Sequence, residues 1–160
     1  MKSLPDDLTI QAWARIARAQ TRLFGKAESA LKAAGLPPLS WYDVLLELRR
    51  EPGRSLRQFE IGQRLLLPKH NLSRLIDRLE AAGLVERQPC DADGRGHVVR
   101  ITREGVALLK RMWPIYGGVI ERELGAKLER NEIRALAATL GKLLSLDLPA
   151  RPGPRPEPRQ

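Results

Sequence analysis

The stretch Leu65-Leu-Leu-Pro-Lys-His-Asn-Leu-Ser-Arg-Leu-Ile-Asp-Arg-Leu-Glu-Ala-Ala-Gly-Leu-Val-Glu-Arg87 carries the reading on which the fold turns. From Lys69 to Ala82 the apolar side chains Leu72, Leu75, Ile76 and Leu79 fall at i, i+3, i+4 and i+7, which is one stripe of an α-helix. Pro68 suits the first turn of that helix and Gly83 suits its stop. Upstream, Ser55-Leu-Arg-Gln58 has the form of a capping box and opens a short helix through Phe59, Ile61 and Leu65. Two short helices joined within a turn of chain make a helix-turn-helix. After Gly83 the period drops to two: Leu84–Gln88 and His97–Ile101 read as strands around the turn-forming run Asp91–Gly96. A helix-turn-helix followed by a β-hairpin is a winged helix, and the expected fold is mainly α with a small hairpin wing.

Longer helices flank this middle. Between Thr9 and Ala34, Ile10, Trp13, Ala17, Phe24, Ala27 and Leu31 recur at helical spacing, with Asp7 or Thr9 as the expected N-cap and Gly35 as the stop. Ser40-Trp-Tyr-Asp43 resembles a second capping box, opening a helix that sends Val44, Leu45 and Leu48 inward and ends at Pro52-Gly53. From Thr102 a helix carries Val106, Leu108, Leu109, Met112 and Trp113, with a bend expected at Pro114 because proline lacks the N–H and clashes with the preceding turn. A last amphipathic helix presents Ile133, Leu136, Ala137, Leu140 and Leu144. The terminal run Pro149–Gln160 holds five prolines and three arginines, a composition expected to be disordered or polyproline-like.

Composition narrows the function. At 160 residues the chain holds one domain with extensions, not two catalytic domains. The net charge is +9, distributed as +1 over residues 1–48, +4 over 49–104 and +4 over 105–160, so the basic excess begins with the helix-turn-helix and points to a polyanionic partner. One cysteine, Cys90, excludes an internal disulfide, and with only His70 and His97 beside it there is no structural zinc set. No metal or cofactor is expected. Neither a signal-peptide pattern nor an 18-residue apolar run occurs, so no membrane span is expected and a cytoplasmic location is the default.

On the side of the Lys69–Ala82 helix away from its stripe lie His70, Ser73, Arg74, Asp77 and Ala81, flanked by Asn71, Arg78 and Lys69. An α-helix fits the major groove of B-form DNA, where arginine or lysine donates to guanine, asparagine pairs two-fold with adenine, and serine or histidine adds single bonds. Arg95, at the wing tip, suits a narrow minor groove. The bland alternatives are a solvated helix face and an exposed turn arginine.

The run 65–87, then Asp93-Gly-Arg95 and Val99-Arg-Ile-Thr-Arg-Glu-Gly105, resembles the multiple-antibiotic-resistance regulator (MarR) family of winged-helix transcription factors, over about residues 9–146. The family's wing usually reads Asp-Arg-Arg; here Gly94 stands for the first arginine, and Pro68 replaces a common Ser or Thr cap. The resemblance implies a homodimer reading a pseudo-palindrome in double-stranded DNA, most often as a repressor released by a small aromatic or phenolic ligand. It divides the chain into an N-terminal dimerisation helix (1–35), a winged helix-turn-helix lobe (36–104), C-terminal dimerisation helices (105–148) and the tail (149–160). It makes Lys69, His70, Asn71, Ser73 and Arg74 groove-facing, Arg78 a phosphate contact, Arg95 the wing contact and Asp93 a support for arginines. Trp13, Trp41, Tyr42 and Trp113 become the residues that line a ligand cleft, or equally a dimer core. Periodicity supports the dimer separately, because the terminal helices carry more apolar surface than one small winged helix covers.

Other classes fit less well. Ser73 and His70 share a helix face, but no orienting acid or oxyanion donor accompanies them, so an enzyme is not expected. Gly94-Arg-Gly96 lacks the third glycine and following helix of a nucleotide loop. Cys90 as an oxidant sensor needs a depressed pKa, which neighbouring Asp91 opposes; a structural cysteine is the simpler reading. A protein-interaction module, or a non-specific DNA-binding protein, are the remaining alternatives.

Overall fold

The computed structural model describes residues 3–66, 71–89 and 97–144. Its elements in chain order are α1 (Asp7–Ala33), α2 (Leu39–Arg50), β1 (Ser55–Arg57), α3 (Gln58–Arg64), α4 (Leu72–Ala81), β2 (Val85–Pro89), β3 (His97–Ile101), α5 (Arg103–Ile120), a π-helical turn (Glu121–Gly125) and α6 (Arg130–Leu144). They group into two compact units, Met1–Val119 and Ile120–Gln160.

In the first unit α2 is the central post, with Val44, Leu45 and Leu48 fully buried as their spacing predicts. Around it close Ala27 and Leu31 of α1, Ile61 of α3, Leu75, Ile76 and Leu79 of α4, and Leu108, Leu109 and Met112 of α5. Two helices stop as their glycines require. Gly35 and Gly83 both adopt positive φ, +67° and +72°. At each the next two amide groups bond back into the last turn, Gly35 N to Lys32 O and Leu36 N to Leu31 O, then Gly83 N to Glu80 O and Leu84 N to Leu79 O. This satisfies carbonyls that would otherwise be orphaned and redirects the chain sharply, toward α2 in one case and β2 in the other.

Helix starts depart from expectation. The N-cap of α1 is Asp6, not Asp7 or Thr9; its carboxylate accepts from Thr9 N at 2.8 Å, and this hydrogen bond holds its pKa below the ordinary value. Helix α2 starts at Leu39, so Ser40 and Asp43 lie inside it and form no capping box. The cap comes instead from α1, where Glu28 Oε1 accepts from Leu39 N at 3.1 Å, a contact 11 residues distant that no local pattern reveals. Ser55 is likewise not a cap: it belongs to β1, and α3 begins three residues later with Glu60 accepting from Arg57 N at 2.8 Å. The anticipated hairpin therefore has a third strand. Its order is β1-β3-β2, all antiparallel, with Leu56 opposite Val99 and Val85 opposite Ile101, and these four side chains form the sheet's buried face.

Helix α5 opens on Thr102, whose hydroxyl accepts from Gly105 N (3.1 Å) and donates to Gly83 O (2.7 Å). It runs through Pro114 without ending and continues to Ile120, where the chain enters the π-helical turn. In the second unit Glu123 pairs with Lys127 at 2.6 Å, and α6 has no buried residue. The predicted stripe is present on α6 as spaced, but Leu136, Leu143 and Leu144 stand exposed. No described helix is long and apolar enough to cross a membrane. The Pro149–Gln160 tail lies outside the described residues.

Candidate nucleic-acid interface

The predicted recognition helix is α4, which begins at Leu72 with Asn71 as N-cap. Its stripe packs as expected: Leu75, Ile76 and Leu79 are buried and Leu72 is half-buried. The opposite side leaves Asn71, Ser73, Arg74, Asp77, Arg78 and Ala81 exposed together. The expected groove-facing residues Lys69 and His70, the wing residues Asp93 and Arg95, and Cys90 lie outside the described residues.

Arg87 organises this face, and sequence reading did not single it out. It sits on β2 opposite Val99, hence on the sheet's inner side and at the edge nearest α4. From there its guanidinium reaches Asp77 Oδ1 at 2.7 Å, Glu80 Oε1 at 3.2 Å and the Ser73 carbonyl at 3.3 Å, while its own N–H donates to Glu80 Oε2 at 2.9 Å. The Arg87 side chain is 18% exposed while Asp77 and Glu80 are exposed, so these are charge-assisted bonds at the surface, anchored from the half-buried guanidinium. Both carboxylates on the outer half of α4 are thereby compensated. Among the described residues neither Arg74 nor Arg78 forms an ion pair, so these two cations set the sign of the face. The available signal was the cation closing Gly-Leu-Val-Glu-Arg87, but only the strand register shows which way it points.

A hydrogen bond joins the two helices of the motif: Gln58 Nε2, in the first turn of α3, donates to Ser73 Oγ at 2.7 Å. The turn after α3 is anchored from below, where buried Asp43 of α2 accepts from Leu66 N at 2.6 Å.

The four aromatics expected to share a cleft do not all meet. Tyr42 and Trp113 stack at 6.4 Å, and Tyr116, unnoticed in sequence, completes the group edge-on at 5.3 Å from Tyr42 and 6.2 Å from Trp113. Trp41, half-buried, is the next residue round α2 from Tyr42, and Trp13 stands 78% exposed on α1. Burial, and then the nearby Asp43 charge, push the Tyr116 phenol above its ordinary value of 10.0. A raised folded-state pKa means stability is intact below the unfolded value and lost as pH climbs through the folded one. Urea titrations above pH 10 should therefore show falling stability that Tyr116→Phe partly removes; identical alkaline slopes for the two proteins would refute the burial of this phenol.

Among the described residues no cluster of His, Cys, Asp and Glu can hold a metal ion. Residues 34–96 match the family model described as MarR family. The multiple antibiotic resistance protein MarR of Escherichia coli K12 is 36% identical over 73 residues, covering 46% of this chain and 51% of that protein. The HTH-type transcriptional regulator PecS of Dickeya dadantii is 30% identical over 103 residues, 64% of this chain and 61% of PecS. The matched region thus spans about half to three fifths of these curated relatives. Among solved structures, Sco3205 of Streptomyces coelicolor, a MarR family transcriptional regulator in complex with DNA, superposes with a TM-score of 0.82 at 23% identity over 94% of each chain. Sco5413 of the same organism, a MarR family transcriptional regulator, gives 0.74 at 26% identity over 88% of this chain and 96% of its own.

Proposed function

We propose that this chain is a MarR-family protein, a homodimeric regulator of transcription that binds a pseudo-palindromic site in double-stranded DNA and acts as a repressor. The observation that carries this reading is the electrostatics of α4. Arg87 takes up Asp77 and Glu80 while Arg74 and Arg78 stand exposed, which is the sign and geometry a groove-reading helix needs. In this assignment Asn71, Ser73 and Arg74, with Lys69 and His70, meet base edges, Arg78 meets phosphate, and Arg95 enters the minor groove beside Asp93. Two α4 helices of a dimer would enter successive major grooves about 34–36 Å apart. A second copy would cover the apolar faces that the terminal helices leave bare. A small aromatic or phenolic ligand beside the half-buried Trp41, Trp113 and Tyr116 is the proposed releasing signal.

Selection from a random duplex library tests the reading. An enriched inverted repeat with half-sites about one helical turn apart is expected, with affinity falling steeply as salt rises. Absence of enrichment above a scrambled control would overturn it. On the selected site, Arg74→Ala should lose about 1–3 kcal/mol of specific binding and much less on random DNA. Equal losses on both would make Arg74 a phosphate contact instead.

A further inference from the structure

We infer that Gln58, on the helix preceding the reading helix, is a positioning residue that sets the base preference of Ser73. This inference rests on the DNA-binding reading above and deepens it. Ser73 is where three elements meet: its hydroxyl accepts from Gln58 Nε2 of α3 at 2.7 Å, and its carbonyl accepts from Arg87 of β2 at 3.3 Å. A serine hydroxyl carries one proton and can act as donor or acceptor, so a free serine on a groove-facing helix discriminates poorly between bases. The Gln58 amide narrows that freedom. One of the two Oγ lone pairs is occupied by the incoming N–H, so Ser73 keeps its proton and a single lone pair, and its balance shifts toward donating into the groove. Donor readout selects the acceptors guanine O6 and N7, thymine O4 and adenine N7 over the amino group of cytosine. Arg87 meanwhile fixes the backbone from which Oγ projects, so the polarity of the hydroxyl and its position are both set by residues outside α4.

The geometry also separates reading from folding. Gln58 is the first residue of α3 and its bond to Ser73 lies at the exposed surface, so neither partner supports the core. A glutamate is favourable in the first turn of a helix, where it complements the macrodipole. Gln58→Glu should therefore keep or raise thermal stability. It has no N–H to give, so the Ser73 proton turns inward to the carboxylate and the donor is withdrawn from the groove.

The test is the binding profile of the full-length protein over every single-base variant of its selected site, for the unmodified chain, Gln58→Ala, Gln58→Glu, Ser73→Ala and the Gln58→Ala, Ser73→Ala pair. Discrimination at one base pair per half-site should fall about three- to tenfold, as expected for one neutral hydrogen bond, and at the same base pair in every variant. The double variant should lose no more than Ser73→Ala alone. Gln58→Glu should lose the most while its Tm does not drop. An unchanged profile in both Gln58 variants, changes at a base pair that Ser73→Ala leaves untouched, or fully additive losses would each overturn the inference while leaving the regulator reading standing. Failure of the unmodified protein to prefer any sequence would overturn both.

Discussion

Gly105→Ala is expected to lower stability by about 3 kcal/mol, the upper part of the range for overpacking a filled core. A Cβ at this position would lie 2.4 Å from the Leu84 carbonyl oxygen, 2.7 Å from Ile101 Cγ1 and 3.2 Å from Leu45 Cδ2. A flexible side chain could turn away, but the nearest atom is backbone. That carbonyl also accepts from Thr102 N at 3.0 Å, in the bond that seats α5 on the strand following α4. Relief by moving Leu84 would break this bond and disturb the turn at Gly83, whose carbonyl accepts the Thr102 hydroxyl. Urea unfolding at neutral pH measures the loss. A change below about 0.5 kcal/mol, the level of an ordinary surface substitution, would mean that the close approach of α5 to the sheet is not tight. Within the Thr102-Arg-Glu-Gly105 run, the glycine thus serves close packing and the threonine serves the cap.

The largest effect on DNA affinity should come from charging the apolar faces of the terminal helices. Along α1, Trp13, Ile16, Phe24, Ala27 and Leu31 share one side, yet only the C-terminal end of that stripe is covered. Ala27 and Leu31 are 1% and 0% exposed, while Trp13 and Ile16 are 78% and 44%. On α6, Leu136 and Leu144 are 40% and 60% exposed. Monomers rarely leave contiguous apolar patches of this kind in water. Trp13→Glu combined with Leu144→Glu should cost the isolated chain little, since these side chains are 78% and 60% exposed. Across a dimer interface the same changes bury unpaired charge at about 3–5 kcal/mol each. Light scattering at micromolar concentration should show a dimer become a monomer. Affinity for the two-half-site DNA should fall at least about 100-fold as the linkage between the two readers is lost, while affinity for an isolated half-site barely changes. An unchanged mass for the double variant would remove the dimer from the proposed function.

The long helices of this protein are legible in its sequence because they carry apolar residues at a helical period, and α1 and α4 stop on Gly35 and Gly83. The fully buried Val44, Leu45 and Leu48, the stripe of α4, and the left-handed Gly35 and Gly83 all stand where the pattern placed them. Strand β1 was not legible, since three residues with one apolar side chain show no period, and a Ser-x-x-Gln spacing there mimicked a helix cap. The aromatic group was half legible: tryptophans were counted, but Tyr116 joins Tyr42 and Trp113 only through the packing of α5 on α2.

What sequence alone determined is local in origin. Hydrophobic period, turn chemistry and glycine stops depend on neighbours within a few residues, and together they specify a winged helix-turn-helix with a polar, cationic outer face on α4. What the tertiary structure decided is which polar groups find one another across long separations. Glu28 capping α2, Asp43 holding Leu66, Gln58 meeting Ser73 and Arg87 gathering Asp77 with Glu80 join residues between 7 and 23 positions apart. A hydrogen bond needs donor and acceptor within about 3 Å of each other. That proximity is a property of packed helices and strand register, and no spacing along the chain encodes it.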